Sequence, residues 1–295
     1  ALAMFTAFAS ATQDIVLDAY RIESASVETQ GMLAAAYQFG YRIAMIWAGA
    51  GALGIAAAVA GVNSVEYVPR AWTISYLAMA ASVSVGLATV LLSPEPAPSR
   101  DAQAAPAAES GLPARLRGMF WKPLADFYER YGRWTAVLIA LVAVYRISDV
   151  VMGIMANPFY SDMGFTKAEV AVVIKVFGVA MTLLGTFAGG LVVLKIGVLK
   201  ALMLGGALSA GTNLLFSLLA AVGHSVPLLA VIVSADNLAG GLASAAFVAF
   251  LSGLTSRRFS ATQYALLSSI MLLLPKTIAG FSGVVVDSVG YSRFF

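Results

Sequence analysis

Cysteine is absent from the 295 residues, histidine occurs once, and charged residues make up only 11% of the chain. Without cysteine there is neither a disulfide framework nor a thiolate metal site. The single histidine, His224, also excludes zinc sites built from several histidines. We therefore predict no bound metal and no cofactor. A soluble domain averages about 25% charged residues, so the scarcity of charge argues against a water-soluble fold.

Hydrophobic residues, by contrast, make up 60% of the chain, and its mean hydropathy is +0.86. A soluble domain could not bury so much apolar surface, because surface area decreases too slowly with size. The chain is therefore predicted to be an all-α integral membrane protein, since lipid cannot satisfy free backbone N–H and C=O groups. The net charge of +3 gives no reason to expect a nucleic-acid partner. We expect a monomer surrounded by the lipid bilayer.

A membrane-spanning helix needs about 20 mostly apolar residues. Eight such runs are present, three before and five after a long connection at residues 94–133. The predicted spans are residues 1–20, 34–60, 71–93, 134–157, 167–193, 198–222, 226–254 and 263–287.

The long connection begins rich in proline and alanine and ends in an amphipathic segment, which is typical of an interfacial helix. Basic residues concentrate here and in alternate loops, whereas the loops of opposite parity contain only Arg70. Because cytoplasmic loops are enriched in lysine and arginine, the linker side is predicted to be cytoplasmic. The basic residues of that side are Arg100, Arg115, Arg117, Lys122, Arg130, Arg133, Lys195, Lys200, Arg257 and Arg258.

A weak internal repeat relates the two sides of the linker. Residues 28–54 match residues 261–287 at an offset of 233, which aligns Thr29–Gln30 with Thr262–Gln263. Transporters built from two parallel six-helix halves show this kind of repeat.

On that plan the chain has three parts. Residues 1–93 are predicted to be three helices of the first bundle, 94–133 the linker, and 134–295 five helices of the second bundle. About eight of twelve or more spans would then be present, and we expect the chain to be part of a longer protein.

Five stretches of the chain resemble the AmpG muropeptide permeases in order and spacing. They are SATQDIVLDAYRIE at 10–23, GYR at 40–42, DMGFTKAEVAVVIKVFG at 162–178, NLAGGLASAAFVAFLSGL at 237–254 and FSATQYALLSS at 259–269. These permeases belong to the major facilitator superfamily, near the acetyl-CoA transporters. The resemblance implies a multi-pass protein of the inner membrane of Gram-negative bacteria. It also implies proton-driven import of anhydromuropeptides, which are anionic glycopeptides, for cell-wall recycling.

Three positions depart from the family pattern. Asp236 stands where the family usually has glutamate, and Lys276 stands near the place of an arginine. Both changes keep the charge but alter its reach or its hydrogen-bond geometry. Leu194 replaces the aspartate of the superfamily's loop signature, so the gating contact of that aspartate is not expected here.

The first predicted span carries several polar side chains. Asp14, Asp18 and Arg21 are spaced to share one helix face, and Gln13 lies beside that face. A charge at the bilayer centre costs about 2.5–3.5 kcal/mol, so it tends to face a cavity or a partner. One interpretation is that the helix is leaving the membrane, with Asp18 and Arg21 as an ordinary pair. The other places Gln13 on substrate amides and Asp14 in proton coupling.

Two further sites carry arginine inside apolar runs. Arg42 either snorkels to the cytoplasmic surface or binds a substrate carboxylate, and a pairing with Asp14 is also open. Arg146 and Asp149 lie mid-helix at i and i+3. They either form an internal salt bridge that holds helices together, or Asp149 exchanges protons while Arg146 tunes it and contacts substrate.

The remaining candidates lie in the last four spans. Lys175 and Lys276 are predicted to bind substrate carboxylates, and Pro275 frees a backbone carbonyl next to Lys276, which is tolerated where a helix lines a cavity. Asp236 is a candidate for proton coupling, and Asn237 for substrate binding, although the pair could equally be a structural hydrogen-bond hub.

A transporter is the function that the whole pattern favours. It accounts for the paired halves and for buried charges of both signs, which we expect to converge on one aqueous chamber. No cysteine, HExxH or GxSxG motif is present, so we predict that the protein is not an enzyme. The alternatives are a related permease for acetyl-CoA or a drug, and a membrane receptor that transports nothing.

Overall fold

The computed structural model describes residues 2–26, 29–61, 67–96 and 112–295, without the side chains of residues 112–117, 119, 167, 175 and 176. Within these ranges all the regular structure is helical. Two π-helical segments, Trp47–Gly51 and Val173–Gly178, and a short 3₁₀ turn, Gly132–Trp134, connect successive α-helices. The α-helices are α1 (Leu2–Glu23), α2 (Gln30–Ile46), α3 (Ala52–Ala60), α4 (Pro69–Leu92), α5 (Leu112–Tyr131), α6 (Thr135–Tyr145), α7 (Ile147–Asp162), α8 (Lys167–Val172), α9 (Val179–Ile196), α10 (Val198–Val222), α11 (Val226–Leu254), α12 (Ser260–Ala279), α13 (Ser282–Val289) and α14 (Tyr291–Phe294).

Local sequence explains where the helices begin and end. Thr166 opens α8 with a capping box, in which its hydroxyl accepts from the Glu169 N–H and the Glu169 carboxylate accepts from the Thr166 N–H. Gly197 and Gly223 bound α10 with φ of +83° and +86°. Glycine adopts this left-handed conformation without steric cost, which lets the chain reverse at both ends of the helix.

Six stretches of the described chain are long and apolar enough to cross a membrane, and the bent pair α12–α13 makes a seventh, with a bend of 41°. The prediction of an all-α membrane protein is confirmed, with six or seven spans in place of the predicted eight. The predicted span that is not among these stretches is α1. It is helical as predicted, but Gln13, Asp14 and Asp18 lower its mean hydropathy below that of a membrane-crossing helix. The six stretches are Gln30–Ala60, Pro69–Leu92, Phe120–Asp162, Val179–Ile196, Val198–Val222 and Val226–Leu254.

The chain forms two compact units, Ala1–Ala36 with Ala97–Phe295 and Tyr37–Pro96. In the smaller unit α3 packs against α4, and Ser75 donates a hydrogen bond to the Ala52 carbonyl at 2.7 Å. The division predicted from sequence, 1–93, 94–133 and 134–295, stays a prediction.

In the larger unit, α11 is the central helix, and α9 and α10 pack against it. Small residues bring the helices close together, since a Cβ added at Gly185 or Gly189 of α9 would overlap the backbone of α11. Gly241 of α11 meets the α9 backbone in the same way, so small residues on both helices permit the close approach. Gly49 and Gly240, by contrast, have no described atom within 4 Å of an added Cβ.

Three apolar clusters form the core of the larger unit, and the two largest lie one towards each end. We call one end of this unit the linker end; there α1, α9 and α11 finish and α10 and α12 begin. The cluster at the linker end includes Val142, Leu202 and Phe247. The cluster at the opposite end includes Phe159 and Phe216.

At the opposite end, α14 is fastened to the end of α7. The phenol of Tyr291 donates a hydrogen bond to the Asp162 carboxylate at 2.7 Å. Desolvation and the same carboxylate raise the pKa of Tyr291 to about 12. The phenol therefore keeps its proton and this hydrogen bond at physiological pH.

Candidate functional site

Arg146 lies at the break between α6 and α7, where its φ of −98° and ψ of 3° interrupt the helix. Its Nε lies 3.5 Å from Oδ2 of Asp149 in the first turn of α7, and both side chains are about one quarter exposed, at 26% and 23%. The ion pair that the i, i+3 spacing indicated is therefore present. Its role in transport stays a prediction.

The guanidinium of Arg146 also reaches the central helix. Its Nη1 donates to Oγ of Ser244 on α11 at 2.8 Å. Next to it, the hydroxyl of Tyr145 donates to the Leu202 carbonyl of α10 at 2.8 Å, and its ring stacks on Phe247 at 4.7 Å. The break between α6 and α7 is thus held against both α10 and α11.

Asp236 and Asn237 are neighbours on α11 but contact different helices. The hydroxyl of Thr212 on α10 donates to Asp236 at 3.1 Å. The hydroxyl of Thr182 on α9 donates to Oδ1 of Asn237 at 2.8 Å, and the amide nitrogen of Asn237 donates to the Val233 carbonyl at 2.8 Å. Oδ1 of Asn237 therefore joins α11 to α9, and its amide nitrogen bonds to the backbone of α11 itself, which favours the structural interpretation of this residue.

These side chains form a polar layer halfway along the helices of the larger unit, between the linker-end cluster and the cluster at the opposite end. On α10, for example, Thr212 lies between Leu202 of the linker-end cluster and Phe216 of the opposite cluster. Asp149 and Asp236 both belong to this layer, Asp149 through Arg146 and Ser244, and Asp236 through Thr212. The structure thus brings together three of the predicted site residues: Arg146, Asp149 and Asp236.

Lys276 lies apart from this layer in the described residues. Its side chain is exposed on α12 and lines a groove of about 400 Å³ with Ser269, Leu273 and Thr277, while Pro275 is buried. No hydrogen bond or ion pair between Lys276 and the polar layer is found in the described part of the chain. Its predicted role in binding a substrate carboxylate stays a prediction.

The other four candidates lie on α1, on α2 and in the second π-helical segment. Gln13 and Asp14 are exposed on α1, and Arg42 is half-buried on α2 in the smaller unit. The backbone of Lys175 belongs to the π-helical segment, but its side chain lies outside the described residues. The roles proposed for these four residues stay predictions.

Arg21 is the residue whose importance the sequence interpretation missed. It pairs with Asp18 at 3.3 Å as one alternative expected, but it is 6% exposed and so is not at a solvated rim. Its Nη1 donates to Ser252 of α11 at 2.8 Å and to Gln30 of α2 at 3.2 Å, and its guanidinium lies 5.3 Å from the Tyr264 ring centroid on α12. Arg21 therefore joins α1 to α11 and α12 at the linker end.

Two more hydrogen bonds reinforce this junction, which we call the linker-end closure. Ser260 of α12 donates to the Glu23 carboxylate, and Nη2 of Arg257 donates to the Ala25 carbonyl at 2.9 Å. The closure connects α1, from the predicted first bundle, to α11 and α12 of the predicted second bundle.

The sequence did contain a signal for part of this arrangement. Gln30 and Gln263, which the repeat register aligns, are both buried, at 2% and 3% exposure. Each accepts a hydrogen bond from an arginine, Gln30 from Arg21 and Gln263 from Arg130. Each also donates to backbone carbonyls of a preceding segment. Equivalent positions of the repeat thus perform equivalent tasks.

Comparison with known proteins decides the family. No protein-family model matches the chain. It is 31% identical to AmpG 4 of Rickettsia conorii, named as a transporter, over 100% of this chain and 67% of that relative. It is 32% identical to AmpG 4 of Rickettsia felis over 98% of this chain and 66% of the relative. It is 31% identical to the anhydromuropeptide permease of Escherichia coli K12 over 100% of this chain and 56% of the relative.

The chain belongs to the AmpG family. The resemblance seen in the sequence is therefore confirmed, and the chain is that of a multi-pass membrane protein. It spans between 56% and 67% of the length of these three AmpG relatives.

Proposed function

We propose that this protein imports anhydromuropeptides from the periplasm to the cytoplasm, driven by protons. The observation that carries the proposal is the similarity to the Escherichia coli anhydromuropeptide permease along the whole of this chain. The chemistry of the polar layer supports it, because a muropeptide carries carboxylates and arginine binds a carboxylate bidentately. The loop charges support the orientation, with the linker end at the cytoplasm.

In this mechanism Arg146 exchanges one carboxylate partner for another. In the described state its guanidinium is shared between Asp149 and Ser244. When a substrate carboxylate binds Arg146, Asp149 loses its cation and takes up a proton, since a buried carboxylate without a partner is costly in its charged form. Substrate binding and protonation then occur together, which couples uptake to the proton gradient.

The linker-end closure supplies the conformational half of the mechanism. Arg21 and Glu23 of α1 bind Ser252 and Ser260 of α11 and α12, so these contacts hold the three helices together at the linker end. Release of substrate to the cytoplasm requires these contacts to break. Alternating access then consists of forming and breaking this closure around the polar layer.

Substrate identity is tested by counterflow in proteoliposomes that contain the full-length protein. Labelled anhydromuropeptide is expected to accumulate when unlabelled anhydromuropeptide is preloaded, because only a carrier exchanges solute. External anhydromuropeptide should compete and acetyl-CoA should not. Competition by acetyl-CoA alone, or the absence of any counterflow, would contradict the proposal.

The closure is tested by fixing it chemically. These 295 residues contain no cysteine, so Glu23→Cys with Ser260→Cys gives the one thiol pair within them for a short bis-methanethiosulfonate reagent, which links the two thiols through disulfide bonds. Cross-linking is expected to reduce uptake to the level of protein-free liposomes, and a reductant should restore it.

A matched pair controls for the chemistry of the reagent. Ser217 and Ser292 are hydrogen-bonded at the opposite end, within the predicted second bundle. Cross-linking Ser217→Cys to Ser292→Cys should leave uptake unchanged. Undiminished uptake after cross-linking at positions 23 and 260 would show that the closure does not open during transport.

A further inference from the structure

Helix α5 presents three chemically different faces in its described part. Phe127 and Pro123 are buried against the larger unit. Trp121, Leu124 and Tyr128, at i, i+3 and i+7, form a second face and are 66%, 46% and 62% exposed. We call these three residues the aromatic face.

The third face of α5 is polar and exposed, and it carries Lys122 and Glu129. On an ideal helix these two residues lie about 100° around the helix axis from the aromatic face. A helix with protein on one side, aromatic residues on the next and charges on the third has the pattern expected at the edge of a membrane, where protein, lipid and water meet.

Hydrogen bonds fix the rotation of α5 about its axis. Gln263 of α12 donates to the Pro123 carbonyl and to the Asp126 carboxylate, both at 2.8 Å. Arg130 donates to Gln263 at 2.8 Å and to the Leu254 carbonyl at 3.0 Å. The helix therefore cannot turn its aromatic face inward without breaking buried hydrogen bonds, which holds that face outward.

The length of the apolar stretch leaves room for α5 outside the hydrocarbon core. The apolar stretch Phe120–Asp162 has 43 residues, about 65 Å at 1.5 Å per residue, whereas the core is about 30 Å thick. The part from Thr135 onward is about 42 Å long by the same rise and spans the core by itself. The 3₁₀ turn that precedes it contains Trp134, a residue enriched at membrane interfaces.

The charge of this segment complements an anionic surface. Residues 112–134 contain five basic residues and two acidic ones. Basic segments next to a spanning helix are attracted to anionic lipid, at about 1 kcal/mol per cation near the surface. The tryptophan and tyrosine of the aromatic face are the residue types that settle at headgroup depth.

We propose that α5 is a lipid-binding helix that Gln263 fastens to the second bundle, with its aromatic face in an anionic phospholipid leaflet and its polar face in water. The proposal is independent of the transported substrate. It gives the linker a defined position, since α5 and α12 move together and the lipid leaflet holds them at a constant depth.

Spin labels test the proposal, because the chain has no native cysteine. Leu124→Cys and Tyr128→Cys report on the aromatic face, and Lys122→Cys and Glu129→Cys report on the polar face. Each labelled protein is reconstituted in phosphatidylcholine vesicles with and without phosphatidylglycerol. Collisions with oxygen, which concentrates in lipid, are compared with collisions with a neutral nickel chelate, which stays in water.

With phosphatidylglycerol present, labels at 124 and 128 are expected to collide mainly with oxygen, and labels at 122 and 129 mainly with nickel. Without phosphatidylglycerol, nickel collisions at 124 and 128 should increase several-fold. Nickel access at all four positions in both vesicles would overturn the proposal. Immobile labels at 124 and 128 that neither reagent reaches would also overturn it, because they would indicate that a protein covers the aromatic face. Equal protection in both vesicles would overturn the requirement for anionic lipid.

Discussion

Replacing Gly185 with alanine is expected to destabilise the protein strongly, although the change adds one methyl group. A Cβ at this position would lie 2.1 Å from the Leu238 carbonyl oxygen and 2.8 Å from its carbon, which belong to the α11 backbone. Backbone atoms cannot rotate away as a side chain can, so α9 and α11 must separate. Overpacking of this kind costs about 1–3 kcal/mol, and a backbone obstacle places Gly185→Ala at the upper end.

The loss would extend beyond the glycine itself. Lipid tails are as apolar as the helix surfaces, so membrane helices associate through close packing and interhelical hydrogen bonds instead of water exclusion. The hydrogen bond from Thr182 to Asn237 crosses the same interface at 2.8 Å and would lengthen as the helices part. Such a bond contributes about 0.6 kcal/mol on average in a membrane.

Thermal unfolding in detergent, followed by size-exclusion chromatography, measures this effect. The midpoint for Gly185→Ala is expected to fall by several degrees. Gly240→Ala is the matched control on α11, since no described atom lies within 4 Å of the added Cβ. It should be neutral or slightly stabilising, because alanine favours a helix over glycine by up to about 1 kcal/mol. Equal midpoints for the two variants would contradict the packing explanation.

The sequence predicted the helices well because their signal is local. The predicted spans 198–222 and 226–254 coincide with α10 and α11, where apolar runs end at glycine or at a polar loop. The prediction of eight spans did not anticipate that the described part of α1 lacks the hydropathy of a spanning helix. Two of the three polar residues that lower the hydropathy of α1, Gln13 and Asp14, are also site candidates, so one feature supported two conflicting interpretations.

The site was only partly predictable, because side-chain partners depend on packing between distant segments. The Arg146–Asp149 pair follows from spacing within one stretch of chain. The contact of Arg21 with Ser252 joins residues 231 positions apart, and no local pattern indicates it. Asp236 and Asn237 differ by about 100° around α11, so one contacts α10 and the other α9, and which helix each would contact depends on the bundle.

Replacing Asp149 with asparagine is expected to abolish proton-driven uptake while leaving the protein folded. Asparagine has nearly the same shape as aspartate but carries no charge and takes up no proton. Arg146 keeps its hydrogen bond to Ser244, so the break between α6 and α7 stays attached to α11. We therefore expect a normal size-exclusion profile and uptake at the level of protein-free liposomes.

Two assays separate a proton-coupling role from a structural one. Counterflow with substrate on both sides needs no net proton movement, so it should persist in Asp149→Asn while uptake driven by a pH gradient disappears. Asp287→Asn is the matched control, because Asp287 is exposed on α13 and has no role in the mechanism. Loss of both counterflow and gradient-driven uptake would show that Asp149 has a structural role in the bundle. Full gradient-driven uptake would show that Asp149 takes no part in proton coupling. Persistence of counterflow alone would leave Asp149 as the group whose protonation links substrate binding at Arg146 to the proton gradient.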